Sequence, residues 1–420
     1  MPLEKAEQPR SVIGQRSWGY IIYLTVLMAL IAMMDWYIST VKASALPYII
    51  KEYKITPSEF SWLESQFFIA TFFIFLLNGL NDIVGRKLSN LILLSIMGLS
   101  GIAIVYLTPT LMAFMAFYTA AMFTTVSNMW AIPVNEEAPA ANRGRLSSII
   151  YVAGLVPLSA VLPPLIIDRL GLPWKWVYGA MFVVTIPVLV LWLFMKETKR
   201  YESIREERRS GLRKSHFYGV GVINRRDLKY IIISALVWMC WLIDYFLFMW
   251  VGYFFMTVKG YSLTQWSVVQ LGSMVGMMVG GIASGWTMDR IGRNRALIVG
   301  CIGHALCLSI IGFISGVLLE IIAMASGFFL SFSYTWFVVY IPEIFPTERR
   351  GSCMGWTSTI TRISYVVGPV AAAVMLEMSP KMDWYWVVTG LMMLLPILIV
   401  LLFKPYETYR VELEEIEARR

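Results

Sequence analysis

Apolar runs long enough to cross a bilayer recur along almost the whole chain, and no other feature constrains its fold as tightly. They lie at about 18–45, 60–80, 88–107, 111–134, 146–167 and 174–195, and then at about 230–256, 266–288, 296–315, 317–340, 353–376 and 384–403. A spanning helix needs about 20 mostly apolar residues. A backbone in lipid must also satisfy its own hydrogen bonds, so runs of this length are helices. The expected fold is all-α and integral to the membrane, with twelve spans arranged as six plus six. Hydrophobic residues make up 58% of the chain and charged residues 15%, against about 25% charged in an ordinary soluble domain. A soluble enzyme, a disulfide scaffold or a nucleic-acid binder could not hide so much apolar surface.

The distribution of charge sets the orientation. With the N-terminus placed inside and loops assigned alternately, 27 of the 35 Lys and Arg residues fall in inner segments, seven fall in outer ones, and Arg362 lies within a span. Such an inner excess predicts cytoplasmic termini. Ala43-Ser44-Ala45 is like a signal-peptidase site. The apolar stretch before it is about twice the length of a signal-peptide core, so the first span is expected to remain uncleaved. Cys240, Cys301, Cys307 and Cys353 all sit in apolar runs and form no C-x-x-C pair, and His216 and His304 are the only histidines. Neither a metal site nor a bound cofactor is implied. His304 has no charged neighbour in its own span and reads as a packed histidine. Lys42 shares a helical face with Asp35 and is expected to reach the outer surface.

The two groups of six spans repeat one another. Asn81-Asp82-Ile83-Val84-Gly85-Arg86-Lys87 follows the second span and Met288-Asp289-Arg290-Ile291-Gly292-Arg293-Asn294 follows the eighth, with Asp82 and Asp289 separated by 207 positions. Glu136-x-x-Pro139-x-x-x-Arg143-Gly144 closes the fourth span. Glu343-x-x-Pro346-x-x-x-Arg350-Gly351 closes the tenth at the same offset of 207. The domain plan is thus a cytoplasmic N-terminus (1–17), a six-helix bundle (18–195), a basic cytoplasmic linker (196–229), a second bundle (230–403) and a cytoplasmic tail (404–420). Duplicated bundles with a site between them are a transporter plan.

These motifs resemble those of the major facilitator superfamily. Pro173-Trp174-Lys175-Trp176, Lys196-Glu197-Thr198-Lys199-Arg200, and Pro405-Tyr406-Glu407-Thr408 with Leu413-Glu414-Glu415-Ile416 resemble the branch that holds sugar porters, organic-ion transporters and aromatic acid:proton symporters. The resemblance implies a central cavity between pseudo-symmetric bundles. It also implies inner loops that latch and release as the halves rock, with Asp82, Gly85, Arg86, Glu136, Arg143, Asp289, Gly292, Arg293, Glu343 and Arg350 as gating residues. On physical grounds the Asp is expected to accept N–H groups at a neighbouring helix N-terminus, the Gly to permit a tight turn, and the Arg to pair with a carboxylate. The first copy departs from the pattern at Asn78 and Ile83. Span seven lacks the paired glutamines typical of sugar porters.

Three ionisable residues stand well inside predicted spans: Asp35 in span one, Asp244 in span seven and Arg362 in span eleven. A bare charge costs at least about 3 kcal/mol at mid-membrane, so each is expected to face a partner or a water-filled cavity. Asp35-Trp36-Tyr37 resembles the first-span motif of aromatic acid:proton symporters. A carboxyl group in a cavity can load a proton from water, and its loss of charge would free Arg362 for a substrate anion. The expected sites are Asp35 and Asp244 for proton coupling, and Arg362, Asn128, Tyr37, Trp241, Trp336 and Tyr334 for the substrate. Trp130, Trp238 and Trp356 also lie in spans that line the cavity by resemblance. The expected activity is proton-coupled symport of a small organic anion, by a monomer in the cell membrane. A sugar or polyol symporter and an organic-cation or drug exporter are the alternatives within transport. A membrane enzyme or sensor is the alternative outside it, and no nucleophile–base pair supports one.

Overall fold

The structure is a computed structural model of the 420-residue chain and describes residues 16–73, 84–125, 130, 132–210, 223–345, 350–409 and 411. Every regular element among them is helical. Ten helices are long and apolar enough to span a bilayer: Trp18–Tyr53, Arg86–Tyr106, Ile149–Arg169, Trp176–Leu193, Arg225–Val258, Leu263–Ile291, Arg293–Ile311, Val317–Ile344, Ser352–Met378 and Asp383–Phe403. They correspond to spans one, three, and five to twelve. Span two begins as Pro57–Phe68 and continues as a tighter turn through Phe73, and span four begins as Leu111–Thr125. Both then run into residues outside those described. The architecture is twelve transmembrane helices in two six-helix, pseudo-symmetric bundles.

Local chemistry explains where several spans begin. The Ser17 side chain accepts the Tyr20 amide at the start of span one. Reciprocal capping pairs, Thr56 with Glu59, Asn224 with Asp227, and Ser262 with Gln265, open spans two, seven and eight. Each uses a side-chain oxygen and an N3 carboxylate or amide to satisfy N–H groups that the first turn leaves orphaned. Span one has 36 residues, or about 54 Å at 1.5 Å per residue. It therefore exceeds the ~30 Å hydrocarbon core. Apolar side chains left on the periphery, such as Leu99, Val183, Leu306, Trp286 and Val317, form the lipid-facing surface that a membrane requires.

The turns at Gly85 and Gly292 lie on one face, called here the basic face. The two bundles meet toward the opposite face. Ser44 of span one donates to Gln270 of span eight at 2.9 Å, and Trp266 Nε1 donates to Ser44 Oγ at 3.2 Å. Gln270 also reaches Ser159 of span five at 3.5 Å, and Thr264 donates to Asp168 at 2.8 Å. Phe60 packs edge-on to Trp250, and Phe68 packs against Phe246 and Tyr365. At Gly252 a Cβ would overlap the Ala43 carbonyl oxygen, so only glycine lets spans one and seven approach this closely. The observed state is closed there.

Candidate functional site

Halfway along span one, Asp35 is buried, with 7% of its surface exposed. Trp130 Nε1 of span four donates to Asp35 Oδ2 at 2.9 Å, while Oδ1 receives no hydrogen bond from the described residues. From the other bundle comes Arg362, 5% exposed. It sits at a break in span eleven, between the helices Arg350–Thr361 and Ser364–Met378. Around it the backbone tightens to i→i−3 bonds, with the amides of Arg362 and Ile363 donating to Thr359 and Ile360. Its Nη2 donates to Ser358 Oγ at 3.3 Å, and the guanidinium lies over the Tyr365 ring at 5.0 Å. Asp35 and Arg362 act on one another electrostatically, as does each with Tyr334.

Aromatic side chains complete the cluster. Trp241 stacks on Tyr245 at 5.7 Å and lies 5.1 Å from Tyr334, while its Nε1 donates to Ser333 Oγ at 2.9 Å. Trp238 stacks on Phe337 at 5.6 Å. Tyr245 also lies within electrostatic range of Asp35. One carboxyl group, one guanidinium and a set of tyrosine hydroxyls are thus drawn from both bundles to the middle of the membrane. A guanidinium lying over a tyrosine ring suits a planar anion.

Of the other expected site residues, several stand elsewhere. Tyr37 is buried inside the N-terminal bundle, where its hydroxyl donates to the Val177 carbonyl at 2.7 Å. Trp336 stacks on Tyr340 at 4.4 Å, and its Nε1 donates to Asn294 Oδ1 at 3.1 Å, which ties it to the basic-face turn. Asp244 is fully buried and pairs with His304 Nε2 of span nine at 3.1 Å, within the C-terminal bundle. His304 is therefore not merely a packed ring. Lys42 does not reach the surface. Its Nζ lies 2.7 and 2.8 Å from the two carboxylate oxygens of buried Glu64, which also accepts from Tyr118. Glu64 is a fourth intramembrane charge that the sequence reading passed over, because it stands one turn from the start of span two. Asn128 lies outside the described residues.

The basic-face turns form two near-identical latches. Gly85 and Gly292 have φ of 98° and 97°, values that favour glycine. Arg86 holds Glu136 through Nε and Nη2, at 2.7 Å for the latter, and Arg293 holds Glu343 at 3.0–3.1 Å. The helix-terminus role expected of the Asp residues falls to others. Glu197 accepts the amides of Arg86 and Lys87 at 2.9 and 3.2 Å; Glu407 accepts those of Arg293 and Asn294 at 2.9 and 3.0 Å. Thr198 and Thr408 donate to Glu136 and Glu343, each at 2.6 Å. Each carboxylate meets both the unpaired N–H groups and the positive end of a helix dipole. The repeated Glu-Thr at 197–198 and 407–408 was the available signal. Asp289 instead pairs with Arg293 of its own turn at 2.9 Å. Asp82 and the side chains of Arg143 and Arg350 lie outside the described residues. Among those residues, no group of three or more His, Cys, Asp and Glu could hold a metal ion.

The chain is 24% identical over 354 residues to the putative niacin/nicotinamide transporter NiaP of Bacillus subtilis (strain 168), covering 81% of this chain and 86% of that one. It is 29% identical over 119 residues to a gallate transporter of Pseudomonas putida, covering 28% and 26%. The fold is similar to that of the D-xylose-proton symporter, with a TM-score of 0.73 at 18% identity over 92% of this chain and 98% of that one. It is similar too to the inward-open xylose transporter XylE of E. coli, with a TM-score of 0.72 at 18% identity over 95% and 100%. The sequence profile of the Major Facilitator Superfamily matches residues 25–325 and 318–420, nearly the whole chain. With its multi-pass helical fold, the chain belongs to the Major Facilitator Superfamily and is a membrane transporter of small molecules.

Proposed function

We propose that this transporter is a proton symporter for a small aromatic carboxylate, working as a monomer in the cell membrane with both termini in the cytoplasm. The carrying observation is that Asp35 and Arg362 come from opposite bundles into one mid-membrane cluster walled by Trp241, Tyr245, Tyr334 and Tyr365. Arg362 is the anchor for the carboxylate, and the aromatic walls take the ring. Asp35 is the proton acceptor. With Asp35 neutral, its charge no longer competes for the guanidinium, which then takes the substrate anion. With Asp35 ionised, the two side chains compensate one another and the substrate is released. Both bundles contribute to the site, so it forms and breaks as they rock, and a single chain suffices.

The relatives support this reading. Niacin and gallate are small aromatic carboxylates and nicotinamide is the amide of niacin; the putative niacin/nicotinamide transporter matches over 86% of its length and the gallate transporter over 26%. The absence of paired glutamines from span seven, which reads Trp238-Met239-Cys240-Trp241-Leu242, favours an anion over a sugar. The excess of Lys and Arg on the basic face supports its cytoplasmic placement. In the observed state the face away from the cytoplasm is closed, as it is after substrate has entered. The gating residues named above then act as latches on the cytoplasmic loops.

The test is uptake into proteoliposomes across a panel of aromatic carboxylates, sugars and organic cations, with and without an imposed pH gradient. Carboxylates are expected to accumulate only with the gradient. Arg362→Gln is expected to abolish saturable carboxylate uptake, and an Arg362→Gln protein that retained it would remove Arg362 as the anchor.

A further inference from the structure

The pair formed by Asp244 and His304 has no part in the cycle just described, and its hydrogen bonds fix its protonation. His304 Nδ1 lies 2.8 Å from the Ser326 carbonyl oxygen. A carbonyl only accepts, so Nδ1 carries a proton. In a neutral imidazole Nε2 is then a bare lone pair, and it faces Asp244 Oδ2 at 3.1 Å. An ionised Asp244 opposite a neutral His304 would set two acceptors against each other in a place where both side chains have 0% exposure. A proton must lie between them.

The surroundings decide where that proton sits. Asp244 Oδ1 receives no hydrogen bond from the described residues. A carboxylate with one oxygen bare in a dry interior is costly, while a carbonyl oxygen of a neutral acid is much less so. Among the described residues, the titratable side chains within electrostatic range of Asp244, besides His304, are Cys301 of span nine and Tyr385 of span twelve. Neither supplies a cation. From span ten the Ser326 carbonyl meets the imidazole, and from span seven the Phe248 ring packs edge-on at 5.6 Å.

We infer that Asp244 and His304 form a second proton-binding site, in which Oδ2–H of a neutral Asp244 donates to Nε2 of a neutral His304. When the proton is lost to water, its bonding pair stays on Oδ2, and the two facing acceptors push spans seven and nine apart. Span seven links this site to the transport cluster. Tyr245 follows Asp244 directly, and Trp241 lies one turn before it, and both belong to the aromatic walls near Asp35. The C-terminal bundle therefore carries its own proton-dependent packing, distinct from the Asp35 chemistry in the N-terminal bundle.

The chain has two histidines, which makes the site directly readable. The experiment uses full-length protein in lipid nanodiscs, labelled with ¹⁵N-histidine and carrying His216→Gln, with no substrate present. Nitrogen shifts of His304 are followed from mildly acidic to alkaline pH. The expected result is an Nδ1-bound proton throughout and a single transition at Nε2. In Asp244→Asn the carboxamide N–H donates permanently to Nε2, so this transition disappears. Thermal stability of the wild type is expected to fall through the same transition, and that of Asp244→Asn is expected not to. An Nε2-bound tautomer, or a His304 that does not titrate in the wild type, would overturn the inference, and the wild type alone shows either result should the variant not fold. Since no substrate enters the measurement, its outcome is independent of the proposed transport activity.

Discussion

The Lys42–Glu64 pair offers a quantitative test of how dry the N-terminal bundle is. Lys42 Nζ lies 2.7 and 2.8 Å from the two oxygens of Glu64, Tyr118 adds a third hydrogen bond at 3.1 Å, and the two charged side chains are 3% and 1% exposed. At 2.7 Å and an effective dielectric of about 20, their attraction is roughly 6 kcal/mol. Desolvation opposes most of it, so the net worth of the intact pair is small. Removing one partner is different, because the other charge stays buried without compensation, at a cost of about 3–5 kcal/mol. Lys42→Met and Glu64→Leu are each expected to lower stability by that amount, which is a factor of roughly 10²–10⁴ in the folding equilibrium. The double variant, with two apolar side chains in contact, is expected to recover most of the loss. Reversible unfolding of purified protein in mixed micelles measures all three. Single variants that each cost less than about 1 kcal/mol, the range of solvated surface pairs, would refute the reasoning and mean that water reaches the pair.

Other perturbations follow from the same geometry. Glu407→Gln removes the charge that holds the amides of Arg293 and Asn294; charge-assisted bonds of this kind are worth about 1.5–3 kcal/mol, so hydrogen exchange at those two amides is expected to speed up roughly tenfold or more, and unchanged exchange would clear Glu407 as a latch. Gly252→Val places a side chain against the Ala43 carbonyl and is expected to hold the bundles apart on the opposite face, read as increased labelling of a cysteine introduced near Thr264. Glu59 is held below the usual carboxylate range by the Thr56 amide and then by the Thr56 hydroxyl. Its contribution is therefore present above the ordinary Glu value of about 4.3 and is lost as pH falls through the lower folded value. Amide exchange at Thr56 is expected to rise in that acid window and to lose its pH dependence in Glu59→Gln.

The fold was almost wholly legible because lipid permits few solutions. Twelve apolar runs and a repeat at offset 207 leave little besides two bundles of helices. Intramembrane charge singled out Asp35 and Arg362, which the fold brings into one buried cluster, since an ionisable group at that depth requires a reason. Side-chain direction was less legible. Asp35 and Asp244 hold near-equivalent positions, yet one faces the interface and the other faces His304. A repeat offset of 207 against a separation of 209 is a difference of two residues, or about 200° around a helix of 3.6 residues per turn. The same rotation around span one turns Tyr37 toward Val177. Glu64 and Lys42 stayed hidden because each lies near a span end, where snorkelling is the ordinary expectation. The break at Arg362 left no signal, as neither Gly nor Pro marks it.

Proton-driven accumulation of an aromatic carboxylate by wild type and Asp35→Asn, compared in the same proteoliposomes, tests the central claim most directly. The wild type is expected to concentrate the substrate above equilibrium when the outside is acid, and to stop when the gradient is collapsed. Asp35→Asn is expected to exchange labelled for unlabelled substrate across the membrane while no longer accumulating it. An Asp35→Asn protein that still concentrates substrate in response to the gradient would contradict the account.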